Sequence, residues 1–425
     1  RPRMSTRVRV LRRRRLATGT LVAGLLAGFA STSLTSPAAA YVPPPAKPRN
    51  CQTVGTFERF LEDFRKEAAA AGVSRATISS ALDGMTADPG IIQRDRRQSF
   101  FSQTFLEVVG KLASKNRENS GKNAINKHRT FFSRAEKDYG VPPAPMAAFW
   151  ALESDFGVGM GNLPVLRSLA TLAWDCRRAE LFRQQLLDAL KIIDRGDLKP
   201  AEMVGSWAGE LGQTQFLPTH YLNHGVDFDG DGRRDLLRSP ADVIGSTASF
   251  MKSLGWRRGE PWLQEVRVPD KMPWEQAGLD IKHPRSQWVK WGVTAAHGLP
   301  LPTDAMPAAL VLPMGRNGPA FLAYANFEVF TKWNQSLNYA TTAAYLATRI
   351  DGAPALNSGR APVAPFGFDQ TKQLQQLLAQ RGFYKGEIDG RLGVDTRAAV
   401  KAAQSKLGLP ADSYPSPELV AALAR

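Results

Sequence analysis

Cysteine and histidine are scarce. The 425 residues hold two cysteines, Cys51 and Cys176, and five histidines. Two thiolates cannot close a structural zinc site, and with only five histidines the sequence gives a transition-metal centre little support. In an exported chain two cysteines more often pair than stay free, which predicts a Cys51–Cys176 disulfide tying the N-terminal segment to the main domain. Long apolar runs are also missing. The stretch from Leu16 to Ala30 is too short and Gly-containing for a spanning helix, so no stable membrane anchor is expected. Nor is there a groove-reading motif or an interleaving of aromatic and basic residues, which argues against a nucleic-acid partner.

Positive charge is plentiful, at a formal +16. Much of it sits at the start, where Arg7, Arg9 and Arg12 to Arg15 precede the apolar stretch and the small residues Pro37-Ala38-Ala39-Ala40. A basic run, a short apolar run and a small-residue cleavage site read as a secretory signal over 1–40, with Tyr41 the first mature residue. Arg13-Arg14 leaves a twin-arginine signal as the alternative to ordinary secretion. No cysteine stands at the cleavage site, which argues against a lipid anchor. A periplasmic location follows. Without those forty residues the balance falls to +8, which suits an anionic polymer such as a cell wall.

Residues 41–55 form a Pro-rich leader. From Thr56 onward Phe57, Phe60, Leu61 and Phe64 recur at helical spacing, and amphipathic stretches at 123–139, 145–155, 179–194, 240–254 and 327–349 predict a mainly α body over 56–350. Short apolar runs split by Gly and Pro between about 256 and 322 predict a small β-rich insertion. Residues 351–367 lack any periodicity and read as a linker. A second domain, 368–425, has apolar positions at Leu374, Leu377, Leu378, Ala398, Val400 and Leu407.

The chemistry centres on Glu153. Ala147, Ala148, Phe149, Trp150, Ala151 and Leu152 precede it, and desolvation keeps such a carboxyl protonated, as a general acid requires. In SWAGELGQTQFLPTHY, 206–221, Ser206, Gln213, Thr214 and Gln215 supply neutral donors and acceptors among Trp207, Phe216 and Tyr221. Sugars are bound by that mixture. In VDFDGDGRRDLLRSPAD, Asp227, Asp229, Asp231 and Gly232 begin like an EF-hand calcium loop. Arg238 replaces the twelfth-position Glu, so Asp242 is the expected closing acid with Asp235 in reserve, Arg233 giving its backbone carbonyl. The calcium would be structural. In NFEVFTKWNQSLNYA, 326–340, Trp333, Asn334, Ser336 and Tyr339 again set polar tips among aromatics.

These four segments, in this order, resemble the membrane-bound lytic transglycosylase B family of peptidoglycan-cleaving enzymes. The resemblance spans nearly all of 55–350. It implies a mainly α (α+β) fold with a lysozyme-like core, Glu153 as sole catalytic acid and base, Ser206, Gln215, Asn334 and Tyr339 along a sugar cleft, and calcium in the loop. Two positions depart from the family pattern: Glu210-Leu211 stands for Ala-Met, and Trp333 for Tyr. Glu210 is therefore a second carboxylate that would raise the pKa of Glu153 or act as a base. The C-terminal domain looks like the three-helix peptidoglycan-binding domain, with Asp389, Gly390, Gly393, Thr396 and Gln404 on its pattern and Ala403 where an aromatic is usual.

The implied reaction cleaves the β-1,4 bond between N-acetylmuramic acid and N-acetylglucosamine without water, leaving 1,6-anhydromuramoyl ends. Glu153 protonates the glycosidic oxygen and then takes the proton of the C6 hydroxyl as it closes onto C1. Asp155, two residues along the helix, should point away. The rival readings are a hydrolytic muramidase using Glu210 and a non-catalytic wall-binding scaffold. Peptidoglycan glycan strands are the expected partner, with other cell-wall enzymes as further candidates.

Overall fold

A computed structural model describes residues 46–97, 103–297 and 300–425; the expected signal, 1–40, and residues 41–45 of the leader lie outside the described residues. The first helix, Phe57–Ala70, shows how the sequence builds this fold. Thr56 caps it by accepting the Arg59 N–H at 3.2 Å, and Phe57, Leu61, Phe64 and Ala68 bury one stripe. That stripe joins the helices Arg75–Leu82, Val165–Trp174 and Ala179–Asp194 in one hydrophobic core. A second core surrounds the helix Pro143–Ser154, which is apolar on nearly every side and packs against Lys115–Lys127 and Leu337–Ile350. A helix apolar all round must sit centrally. Leu254 and Trp333 pack against both cores, so the seam between them runs past Trp333.

The amphipathic stretch at 123–139 is two helices, Lys115–Lys127 and Arg129–Tyr139, with His128 between them at φ −110° and ψ 30°. The break lets the first pack on Pro143–Ser154 while the second packs on Pro240–Ser253, surfaces that one straight rod does not face together. The β-rich insertion is a five-stranded antiparallel sheet in the order His283–Pro284, Pro307–Val311, Ala320–Ala323, Leu263–Arg267, Thr294–Ala295. Val266 lies opposite both Ala295 and Ala320.

Cys51 and Cys176 are disulfide-bonded with Cα atoms 6.1 Å apart across a sequence separation of 125. Around the bond, Thr53 Oγ1 donates to Asp175 at 2.8 Å and the Lys47 N–H donates to the Arg177 carbonyl at 2.8 Å, so the chain entering the first helix is held against the second half of the core.

The C-terminal helices Phe368–Gln380, Val394–Lys406 and Pro417–Ala424 enclose Leu374, Leu378, Ala399, Val400, Ala403 and Leu419. Two expected core positions are outside: Ala398 is exposed, with Ala399 taking its place, and Leu407 is 40% exposed just past the helix end. Ala403 is fully buried, so its small size is a matter of packing between helices. Gln375 is the centre of a buried network, donating to Asp389 Oδ1 at 2.8 Å and Thr396 Oγ1 at 3.0 Å and accepting from the Gly390 N–H at 2.8 Å. Gln404 does the same for the next turn, donating to Asp412 Oδ1 and the Tyr414 carbonyl at 2.9 Å each. The linker has no helix or strand but is tied down: the Asn357 N–H donates to Glu265 at 2.9 Å and the Arg360 N–H to the Asn317 carbonyl at 2.7 Å. The three helices also dock on the insertion, where Arg397 donates to the Pro313 carbonyl at 2.7 Å and Lys401 to the Ala277 carbonyl at 2.8 Å.

Candidate active site

Glu153 lies in the last turn of Pro143–Ser154, on the seam between the two cores. A helix C-terminus carries partial negative charge, which disfavours a carboxylate there. Burial is the main cause that raises the carboxyl, against hydrogen bonds from Tyr339 and Trp333 and with the charge of Glu210 assisting, and together they place it at about 7. Both donors reach the same atom. The Tyr339 hydroxyl and the Trp333 indole N–H, the latter at 3.0 Å, donate to Oε1. Oε2 accepts no hydrogen bond among the described residues, so it is the oxygen left to carry the proton.

Trp333 is positioned by stacking, its ring 3.9 Å from that of Phe149 at an interplanar angle of 13°. Phe250 and Phe216 close around it at 5.1 and 5.8 Å. Tyr339 sits on the first turn of Leu337–Ile350, where Ser336 caps the helix by accepting the Tyr339 N–H at 3.3 Å. Asn334 uses its Oδ1 locally, accepting the Ser336 N–H at 2.9 Å. The residue in place of the family tyrosine thus supplies a ring to stack and a donor for the acid.

Asp155 caps the same helix in the left-handed conformation, φ 48° and ψ 50°, and turns to Arg117, whose Nε and Nη2 donate to its two oxygens at 2.6 and 2.9 Å. Both of its carboxylate oxygens are engaged there.

The 206–216 loop is bolted beside this helix end. Ser154 Oγ donates to the Gln213 carbonyl at 2.6 Å, and Leu163–Pro164 pairs with Val204–Gly205. The backbones approach so closely that a Cβ on Gly161, at φ +86°, would lie 2.3 Å from the Gly205 carbonyl oxygen. Ser206 Oγ accepts the Ala208 and Glu210 N–H groups at 3.2 and 3.1 Å, fixing the turn that carries Glu210. Gln215, at φ 50°, donates to the Gly212 carbonyl at 2.9 Å and the Met160 carbonyl at 3.2 Å. Gln213 departs from its expected place as a sugar contact. It is 8% exposed, its Oε1 accepts the Trp150 indole N–H and its Nε2 donates to the Leu237 carbonyl, both at 2.8 Å, so both ends brace the frame.

Glu210 is itself pushed up by burial, against a hydrogen bond from Ser206 and the charge of Arg178. Arg178 is held by Asp95, a 1%-exposed acid that also receives both contacts of Arg177 at 2.9 Å. Neither ion pair is signalled by local sequence, because Asp95 and Arg177 are 82 residues apart.

In the acidic loop, carboxylate oxygens of Asp227, Asp229 and Asp242 lie within 4.8 Å of one another. Asp242 is fully buried, accepts the Phe228 and Asp235 N–H groups at 2.7 Å each, and is pushed up by burial with the charge of Asp229 contributing. Three converging carboxylates, one buried, fit a hard cation that would relieve their repulsion. Asp231 stands outside the convergent set, its Oδ1 closing a short turn onto the Arg233 N–H at 2.9 Å. Arg238 faces away, donating to Asp235 at 2.7 Å and lying 2.8 Å from Glu202, which also removes Asp235 as the closing acid.

Against known proteins, residues 56–348 match the transglycosylase SLT domain and residues 369–423 the putative peptidoglycan binding domain. The membrane-bound lytic murein transglycosylase B of Escherichia coli (strain K12) is 33% identical over 216 residues, 51% of this chain and 58% of that protein, so the chain spans little more than half of that curated relative. The solved structure of SltB3 from Pseudomonas aeruginosa in complex with NAG-anhNAM-pentapeptide superposes with a TM-score of 0.81 at 38% identity, over 88% of this chain and all (100%) of that one. The Escherichia coli lytic transglycosylase Slt35 in complex with calcium gives 0.60 at 27% identity, over 71% of this chain and 96% of that one. With the family match running from just before the first helix to the end of the helix that carries Tyr339, the chain belongs to the transglycosylase SLT domain family.

Proposed function

We propose that this protein is a lytic murein transglycosylase that cleaves the β-1,4 bond between N-acetylmuramic acid and N-acetylglucosamine and leaves 1,6-anhydromuramoyl ends. The observation that carries the reading is the single acid at a helix end, held near neutrality with both of its donors on Oε1. Half protonated near pH 7, Glu153 can give the Oε2 proton to the glycosidic oxygen and, as carboxylate, take the C6 hydroxyl proton. The Oε1 donors stabilise the anion between these steps. A hydrolase needs an ionised second carboxylate to activate water. Asp155 is committed to Arg117, and Glu210, held in the Ser206 turn and raised by burial, is the carboxylate that the hydrolytic alternative would need. Ser206, Gln215 and Asn334 are proposed to border the glycan, and the C-terminal helices to hold the enzyme to the wall. A calcium ion in the acidic loop, held by Asp227, Asp229 and Asp242 with the Arg233 carbonyl, would serve structure alone by fixing the segment that follows the 206–216 loop. Export to the periplasm agrees with the disulfide. Among the described residues no helix is long and apolar enough to cross a membrane.

Mass spectrometry of products from purified peptidoglycan tests the reading. Anhydro ends from the parent and from Glu210→Gln, with turnover lost by about a thousandfold or more in Glu153→Gln, are expected. Reducing ends that vanish with Glu210→Gln would establish the hydrolytic alternative.

A further inference from the structure

Two of the five histidines stand on one helix. His220 and His224 are four residues apart in Pro218–His224, so their side chains leave the same face one turn apart. Their ring centroids are 6.2 Å apart at an interplanar angle of 34°, the one contact between two imidazoles among the described residues. Phe250 packs against both, 4.5 Å from the His220 ring and 5.1 Å from the His224 ring. Both imidazoles are half-buried, and neither makes a hydrogen bond or ion pair with another described residue. Burial holds His220 down at about 4, with the charge of His224 adding to it, and burial lowers His224 as well. Near pH 7 both rings are therefore neutral, the form in which imidazole offers a lone pair to a metal.

We propose that His220 and His224 form a chelating site for one borderline divalent cation, Zn2+ or Cu2+. Two imidazoles at i and i+4 of a helix can aim their nitrogens at one point. Metal–nitrogen distances of about 2.0–2.1 Å put bridged ring centroids about 5 to 6 Å apart, within a small side-chain rotation of the observed spacing. Donor chemistry separates this site from the acidic loop. The carboxylates of Asp227, Asp229 and Asp242 suit a hard cation, whereas nitrogen donors select metals late in the Irving–Williams order. Among the described residues no third His, Cys, Asp or Glu converges on the pair, so water completes the coordination and the ion exchanges readily. The site also borders the stack that positions Trp333, because the Phe250 ring under both imidazoles lies 5.1 Å from the Trp333 ring. An ion that draws the imidazoles together therefore acts one ring away from a donor to Glu153. The site stands whichever reaction Glu153 performs.

The test uses the full chain without a histidine tag, stripped of metal with chelator and titrated calorimetrically with Zn2+ and, separately, with Cu2+. Both ions should bind saturably to the parent and with the same affinity to Asp229→Ala, which leaves the imidazoles untouched. His220→Gln and His224→Gln should each weaken binding by about a hundredfold, because the second imidazole adds as an intramolecular event. Excess Ca2+ should leave the Zn2+ titration unchanged. Electron paramagnetic resonance of the Cu2+-loaded parent should show two nitrogen ligands, a readout that needs no substituted chain and decides by itself if the histidine variants fail to fold. The absence of saturable binding would overturn the proposal. So would affinity that survives in H220Q/H224Q, affinity that is lost in Asp229→Ala, or a Cu2+ spectrum without two nitrogen donors.

Discussion

Replacing Glu153 by Gln should stabilise the protein, and by an amount that depends on pH in a defined window. The native carboxyl titrates near 7, against an ordinary 4.5. Between those values the native state holds a proton that the unfolded chain has released, so unfolding free energy falls as pH rises from 4.5 to 7 and is flat on either side. A gap of 2.5 units corresponds to about 3.4 kcal/mol at most, and residual solvent access at a partly exposed residue brings the expected figure to about 2 to 3 kcal/mol. Gln copies the protonated acid: its carbonyl can still accept from Tyr339 and Trp333, and it does not ionise. Parent and variant melted in parallel from pH 4 to 8 should thus differ little at the acid end, diverge through pH 6, and hold a constant gap above pH 7.5 with the variant higher. All other titrating groups cancel in the difference. A gap that is the same at every pH, or one that favours the parent at pH 8, would mean that the carboxyl is not held protonated, and the mechanism built on it would fall.

Trp333→Phe keeps a ring to stack on Phe149 but removes a donor that lowers the Glu153 pKa, so the alkaline limb of the pH–kcat profile should move up, by up to about one unit. A limb that stays in place or moves down would remove Trp333 from the electrostatics of the acid. Calcium at a hundredfold excess over its Kd should raise the melting transition of the parent by the equivalent of about 2.7 kcal/mol over chelator-treated protein, while Asp229→Ala should melt alike in both. Equal melting of the parent under the two conditions would refute the metal site.

Much of this protein is determined by residues within a few positions of each other. The stripe Phe57, Leu61, Phe64 and the polar residues between them specify a helix and its buried face wherever the segment lies, because the period of the backbone does so. The apolar run before Glu153 puts that acid on a core helix for the same reason, and short runs between 256 and 322 such as Ala308–Leu312 suit strands, although the same stretch also forms the short helix Arg285–Lys290. Two cysteines leave one possible pairing within the chain, and the structure has it. What local pattern cannot hold is the identity of partners far along the chain. Glu153 meets Trp333 and Tyr339 across 180 and 186 residues, and its protonation is set by that meeting, by Glu210 and by the depth of the seam. Gln213 looked like a sugar ligand because it is an amide beside aromatics; only packing shows both its ends consumed by Trp150 and Leu237. Likewise Asp231 has the spacing of a ligand, but its side chain turns to its own backbone, while Asp242, on the following helix, comes into the cluster. Spacing limits which groups can be neighbours along the chain, whereas desolvation and hydrogen-bond competition, which set what those groups do, exist only once distant segments have packed.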